Sequence, residues 1–225
     1  MSKSSIWEMV KECPVCGSHE LHPYKKSTVE FETLSERQFM ITDNAYGKTW
    51  NLSRCHNCTY VFSNPCPSPE MVHSLYSKIE DPEYEEEASG REKNFNRIIS
   101  RLEKIHPEKG VLYDVGAATG ILLNTARKRG WQPDGIEPSL WAVQIAKKKY
   151  DLQLQQGDFT AVSTLPAGIT ALTMIDFIEH IANPYTAVSR AYRILKSGGT
   201  LCIVTPDLIS LAAHIAGNKW WHFRP

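Results

Sequence analysis

The 225-residue sequence lacks an excess of charge of either sign: 25 Lys and Arg stand against 25 Asp and Glu. A chain that coats nucleic acid or an anionic membrane needs surplus positive charge, so neither partner is expected. Long apolar runs are missing too. The richest stretch, Leu201 to Ala216, is broken by Pro206, Asp207 and His214, short of the ~18–20 apolar residues that span a bilayer. No secretory signal pattern opens the chain, because Ile6 and Trp7 are followed by Glu8 and Lys11. No internal repeat is present. These absences leave a cytoplasmic globular protein as the expectation, and 42% hydrophobic residues suffice to fold one.

Cysteine is scarce but patterned. Of six, four form the pairs Cys13-Pro-Val-Cys16 and Cys55-His-Asn-Cys58, with Cys66 and Cys202 left over. Without a secretory signal, such pairs read as metal ligands before disulfides. Four thiolates close the tetrahedral shell of a structural zinc, whereas catalytic zinc keeps a position open for water. His19, His22 and His56 lie near the knuckles and can each replace a cysteine. The β-prone stretches Thr28–Phe31, Lys48–Ser53 and Thr59–Phe62, with a turn signal at Asn44–Gly47, return the second knuckle to the first. A zinc ribbon is therefore expected over residues 1–66.

Residues 67–109 read as a linker and helical bridge. A short helix is expected over Glu70–Ser77, and the acidic run Glu80–Glu87 reads as a solvated loop. Phe95, Ile98, Ile99, Leu102 and Ile105 recur at helical spacing, so a helix is expected from Arg91 to His106, ended by Pro107. Over residues 110–225 strands alternate with helices. The strands are Val111–Val115, Gln132–Ile136, Leu152–Gln156, Thr170–Ile175 and Thr200–Thr205. The helices are Ile121–Arg129, Leu140–Tyr150, one opening at Asn183-Pro184 and ending at Gly198-Gly199, and one capped by Asp207 and running to about Ala216. This alternation predicts an α/β fold: a Rossmann-like, doubly wound, mostly parallel sheet.

The first strand runs into Asp114-Val-Gly-Ala-Ala-Thr-Gly120. A nicotinamide or flavin fold would show G-x-G-x-x-G, with a pyrophosphate on the helix N-terminus. Here Gly116, Ala117 and Gly120 keep the loop small, and Asp114 precedes it. A carboxylate there repels phosphate and suits a cation. Glu137 ends the second strand and can accept both hydroxyls of a ribose. Asp158 follows the third strand and can accept from an adenine amino group, with Phe159 packing on the ring. Acids after three successive strands fit a charged nucleoside without phosphates, such as S-adenosylmethionine.

The same residues carry a resemblance. Asp114–Gly120 is similar to the first motif of class I S-adenosylmethionine-dependent methyltransferases, with Ala118 where many relatives have a third glycine. Gly135-Ile-Glu-Pro-Ser139 resembles their ribose-binding motif, Met174–Ile181 their fourth-strand motif, and Leu195–Thr200 the turn into their fifth strand. The C-x-x-C pairs resemble those of a subgroup with a zinc-binding segment ahead of the catalytic domain. The resemblance implies methyl transfer to an oxygen, nitrogen or carbon of a small molecule, such as a sugar or other metabolite. Asp176 is then a cofactor or pocket residue, with a structural role equally open. His180, after the fourth strand, is the candidate general base; the alternative is that Glu179 and His180 brace the Asn183-Pro184 helix. A different function class is a non-catalytic zinc-ribbon module that binds a protein on a methyltransferase-like scaffold. The resembled fold ends with two further strands, for which Gly217–Pro225 has no room. A shortened sheet is expected, with an edge that, together with Trp220-Trp221, favours a second copy or a partner chain.

Overall fold

A computed structural model of the chain describes residues 6–29, 40, 42, 48–220 and 222. Part of the expected strand Thr28–Phe31, the turn at Asn44–Gly47, and Trp221 lie outside the described residues. The chain forms two compact units: Met1–Tyr76 with Ala182–Tyr185 and Pro206–Pro225, and Ser77–Ile181 with Thr186–Thr205.

The first unit holds two small antiparallel sheets. Strand β1 (Trp7–Glu8) pairs with β5 (Cys66–Pro67), while β2 (Leu21–Lys25), β3 (Leu52–Cys55) and β4 (Val61–Ser63) form a meander in the order β2-β3-β4. Strand β2 is not visible in the sequence pattern, because Pro23 sits in its middle. Proline lacks the N–H a ladder needs and is tolerated on an edge strand; β2 is that edge. Thr28 lies past the strand instead, donating its N–H to Thr49 O and accepting from Thr49 N at Oγ1 (both 2.9 Å). Asn64 ties the chain across a gap of 54 residues: its amide accepts from Val10 N (2.9 Å) and donates to Val10 O (3.0 Å). The rings of Trp7 and Trp50 meet edge to face at 5.0 Å. Helix α1 (Pro69–Tyr76) matches the expected Glu70–Ser77 to within one residue at each end.

The second unit is a parallel five-stranded sheet. Its strands are β6 (Val111–Val115), β7 (Gln132–Glu137), β8 (Gln155–Gln156), β9 (Ile169–Ile175) and β10 (Leu195–Val204), in the order β10-β9-β6-β7-β8. Helices α2 (Pro82–Glu86), α3 (Ala88–Ile105), α4 (Ile121–Lys128), α5 (Leu140–Tyr150) and α6 (Pro184–Ile194) complete the pattern. One core layer joins Ile99, Leu102, Leu112, Leu123, Trp131 and Ala146; the other joins Tyr113, Val115, Phe159, Met174, Ala187 and Ala191. Neighbours Leu112 and Tyr113 enter opposite layers, as pleating requires. Both faces of β6 are therefore covered, and the fold is the doubly wound α/β sheet expected from the alternation.

Three local readings are corrected. The acidic run is no loop: Pro82–Glu86 is helical, with Asp81 Oδ1 accepting from Tyr84 N (3.3 Å) and Tyr84 buried. Like charge argued for solvation, but an Asp N-cap followed by proline is a helix start, and Tyr84 supplies the anchor. The Gly198-Gly199 pair does not end α6. The helix stops at Ile194, β10 begins at Leu195, and the glycines sit at the register shift before Thr200, where a Cβ on Gly199 would lie 2.9 Å from Ile169 O. Finally, helix α7 (Leu211–Ala216) in the first unit is capped by Ser210, whose Oγ accepts from Ala213 N (3.2 Å). Asp207 closes the preceding turn by accepting from Ile209 N (3.0 Å).

The tryptophan expectation also changes. Trp220 is 3% exposed, so its ring is not part of an open apolar surface. Strand β10 has no strand on its outer side among the described residues.

Candidate functional site

The cysteine cluster is built by two loops folded alike. Cys13 O accepts from Gly17 N (2.9 Å) and Cys13 N donates to Ser18 O (2.8 Å). Cys55 O accepts from Thr59 N (3.1 Å) and Cys55 N donates to Tyr60 O (2.9 Å). Gly17 (φ 71°) and Thr59 (φ 64°) occupy the same left-handed position. All four Sγ atoms lie within 4.8 Å of one another. Cys13 and Cys58 Sγ are 3.5 Å apart, and Cys16 and Cys55 Sγ 3.6 Å. A tetrahedral thiolate centre with 2.3 Å bonds needs sulfur separations of about 3.8 Å, so the donor set fits a zinc-type ion. Asn57 Nδ2 donates to Cys16 Sγ (3.7 Å), an outer hydrogen bond that holds the ligand in place. His22 and His56 meet edge to face at 5.7 Å and are not in the cluster.

The second site lies at the carboxyl ends of β6 and β7. From β6 the chain runs out through β7 to β8, then crosses back to β9 and β10 on the other side. Such a switch point leaves a crevice beyond the strand ends. Asp114 stands there, 4% exposed, its Oδ1 accepting from Thr173 Oγ1 of β9 (2.6 Å). Burial pushes its carboxyl up to about 7; the Thr173 bond opposes this and the nearby Glu137 charge adds to it. Glu137 is 8% exposed. Its Oε2 accepts from Ala118 N and its Oε1 from Ser139 N (both 2.8 Å). Burial pushes it up to about 7 as well, against those two bonds. A carboxylate has about four lone-pair sites, so Glu137 can still receive two hydroxyl donors.

The loop between them is shaped by its small residues. Gly116 N and Ala117 N donate to Ile136 O (3.0 and 3.1 Å), and Gly120 N to Ala117 O (2.9 Å). Gly120 opens α4 at φ 82°, where a Cβ would lie 2.8 Å from Leu152 Cδ1. Ala118 is held at φ 46°, in the glycine-favoured region, so its methyl group sits at a strained position that the loop still adopts.

Asp114, Gly116, Ala117, Gly120 and Glu137 are thus brought together. Asp158 caps its own turn, accepting from Thr160 N (2.7 Å) and Thr160 Oγ1 (2.8 Å). Phe159 is 2% exposed and packs in the core against Tyr113 and Phe177, each 6.5 Å away. Asp176 follows β9 at φ 49°, exposed, its N–H donating to Val204 O (2.9 Å). His180 is exposed in a 3-10 turn (Ile178–His180), its N–H bonded to Phe177 O (3.0 Å). Beside it, Glu179 Oε2 accepts from Thr205 Oγ1 (3.0 Å).

Sequence reasoning missed Thr173 and Glu85, and gave Ser139 and Thr119 no role beyond their motifs. Thr119 is buried and donates its hydroxyl to Glu85 Oε1. Tyr84 sits close enough to Asp114 and Glu137 to feel both charges, and burial raises its phenol strongly. The helix start at Asp81-Pro82 was the one signal that this segment is ordered.

A Rossmann-like sheet carrying a small-residue loop and two buried acids at its switch point is the arrangement of a methyltransferase domain. Residues 85–225 match the family model of a methyltransferase domain, and the chain belongs to that family. Ubiquinone biosynthesis O-methyltransferases are among its relatives. The one from Dechloromonas aromatica is 28% identical over 98 residues, covering 41% of this chain and 42% of its own. The one from Nitrosomonas europaea is 30% identical over 98 residues, 41% of each. The chain thus matches about two-fifths of the length of these relatives. The SAM-bound amino pentose methyltransferase CalS10 of Micromonospora echinaspora shares the fold, with a TM-score of 0.50 over 58% of each chain at 22% identity.

Proposed function

We propose that the protein transfers a methyl group from S-adenosylmethionine to an oxygen, nitrogen or carbon of a small molecule, and that its cysteine cluster holds a structural zinc ion. The observation that carries the reading is the pair Asp114 and Glu137, both buried at the switch point, with Asp114 ahead of a loop where a pyrophosphate would meet its carboxylate. Glu137, gripped by Ala118 N and Ser139 N, is oriented to receive the ribose hydroxyls. Asp114 offers negative charge to a cationic amino-acid portion. When bound, S-adenosylmethionine supplies a methyl group on a sulfonium centre, a good leaving group, so positioning contributes much of the rate. His180 takes the proton released by the acceptor, as a general base. Asp176 and Asp158 line the same end of the sheet, Asp158 toward the adenine. The names of the relatives, O-methyltransferases of ubiquinone biosynthesis, support a small-molecule acceptor. The closed donor set supports zinc as a brace for the first unit rather than a catalyst.

Calorimetry with S-adenosylmethionine tests the reading. Binding by the intact protein is expected, and Glu137→Ala should weaken it by about tenfold or more, the scale of hydrogen bonds to a charged group. No binding by the intact protein overturns it.

A further inference from the structure

The segment before α3 is pinned on both sides of the Glu137 clamp. Ser139 Oγ donates to Ile79 O (2.8 Å) at one end. At the other, Thr119 Oγ1 donates to Glu85 Oε1, while Lys149 Nζ and Tyr150 OH (3.2 Å) donate to Oε2. Ser139 and Ala118 are the residues whose N–H groups hold Glu137, and Thr119 is next to Ala118. Between the two pins lies Tyr84, 7% exposed, with the Arg91 guanidinium 4.0 Å over its ring. One carboxylate therefore joins α2, the loop ahead of α4 and the last turn of α5. The joints differ in kind. Ile79–Ser139 is a neutral bond. At Glu85 the side chain is 14% exposed but its Lys149 partner is 46% exposed, so the ionic arm is open to water and to salt, where such a pair contributes little by itself.

We propose that residues 79–85 form a strap closed over the cofactor loop, and that Glu85 is its latch: a positioning residue that holds Thr119 and lets go when cofactor enters or leaves. The proposal rests on the reading of Asp114–Gly120 and Glu137 as the S-adenosylmethionine site. The hinge side is the Ile79–Ser139 bond, and the opening side is Glu85. Opening swings Tyr84 away from Asp114 and Glu137 and frees the loop, with no change in the sheet beneath.

Hydrogen exchange on the full-length, ligand-free protein reads the latch without any cofactor. In Glu85→Ala, amides of residues 79–87 and 116–120 should exchange about tenfold faster, while β6 and β9 stay as protected as in the parent. Molar salt should loosen the parent by much less than this, because it screens only the ionic arm, and should not loosen the variant further. Stopped-flow mixing with S-adenosylmethionine should then show both association and dissociation faster in the variant. Exchange that is unchanged, or that rises equally throughout the sheet, overturns the strap. Should Glu85→Ala not fold, Thr119→Val decides, since it removes the hydroxyl that Glu85 holds at nearly unchanged volume: faster exchange confined to the same two segments supports the latch, and parental exchange overturns it. A parent that does not bind S-adenosylmethionine, together with a strap that still loosens in the variant, removes the cofactor reading and leaves the strap standing.

Discussion

Asp114 and Glu137 are ionisable groups held in a protein interior, and their cost has a sign. Both carboxyls lie at about 7 in the folded chain, against roughly 4 when unfolded. Between those values the folded protein binds more protons than the unfolded chain, so stability falls as pH rises from about 4 to about 7. Urea titration of the ligand-free protein at several pH values should show this decline, and Asp114→Asn should flatten it. Cofactor affinity should move the other way, rising over the same range as Asp114 ionises. Gly120 makes a second residue-level test. At φ 82° with a would-be Cβ 2.8 Å from Leu152 Cδ1, Gly120→Ala should cost about 1–2 kcal/mol in denaturant unfolding. At this scale the sequence was readable where a residue's job is imposed by the local backbone. The four cysteines converge on one cluster, and Gly116, Gly120, Asp114 and Glu137 on the ends of β6 and β7, as their places in the sequence imply. Phe159 was not readable, because an aromatic after a strand-end acid looks the same whether its ring faces a ligand or, as here, the core. Glu85 was invisible because its partner Thr119 is 34 residues away.

Elements were legible when their period was strong and their signals agreed. Helices α3, α4 and α5 and the buried strands β6 and β9 lie within a few residues of their expected spans. The failures share a cause: one signal was weighed alone. Charge outweighed the Asp81-Pro82 cap at α2, and Pro23 hid the edge strand β2. Strand β8 is only Gln155–Gln156, because the leucines before it, Leu152 and Leu154, are drawn into the core. The two knuckles are the element for which metal decides the outcome. A chelator such as EDTA, added under mild heating, should release one zinc equivalent per chain by mass spectrometry and collapse the β2-β3-β4 meander, since structural zinc sites draw much of their folding energy from the ion. Cys55→Ser should leave less than one equivalent bound.

For the whole molecule, the parallel sheet followed from alternation alone, yet its partition did not. The segment Pro206–Pro225 belongs to the same compact unit as the cysteine knuckles, a membership that no local pattern carries. A melt followed by calorimetry should accordingly show two transitions, the first abolished by chelation and the second shifted upward by S-adenosylmethionine. This discontinuity also bears on how the chain acquires its shape during synthesis. Domains usually fold in the order in which they leave the ribosome. Here the sheet unit described above has emerged by Thr205, while the unit that holds the cysteine knuckles also draws on residues 206–225. The cysteine knuckles thus emerge ahead of the sheet, while a further segment of their own compact unit emerges after it.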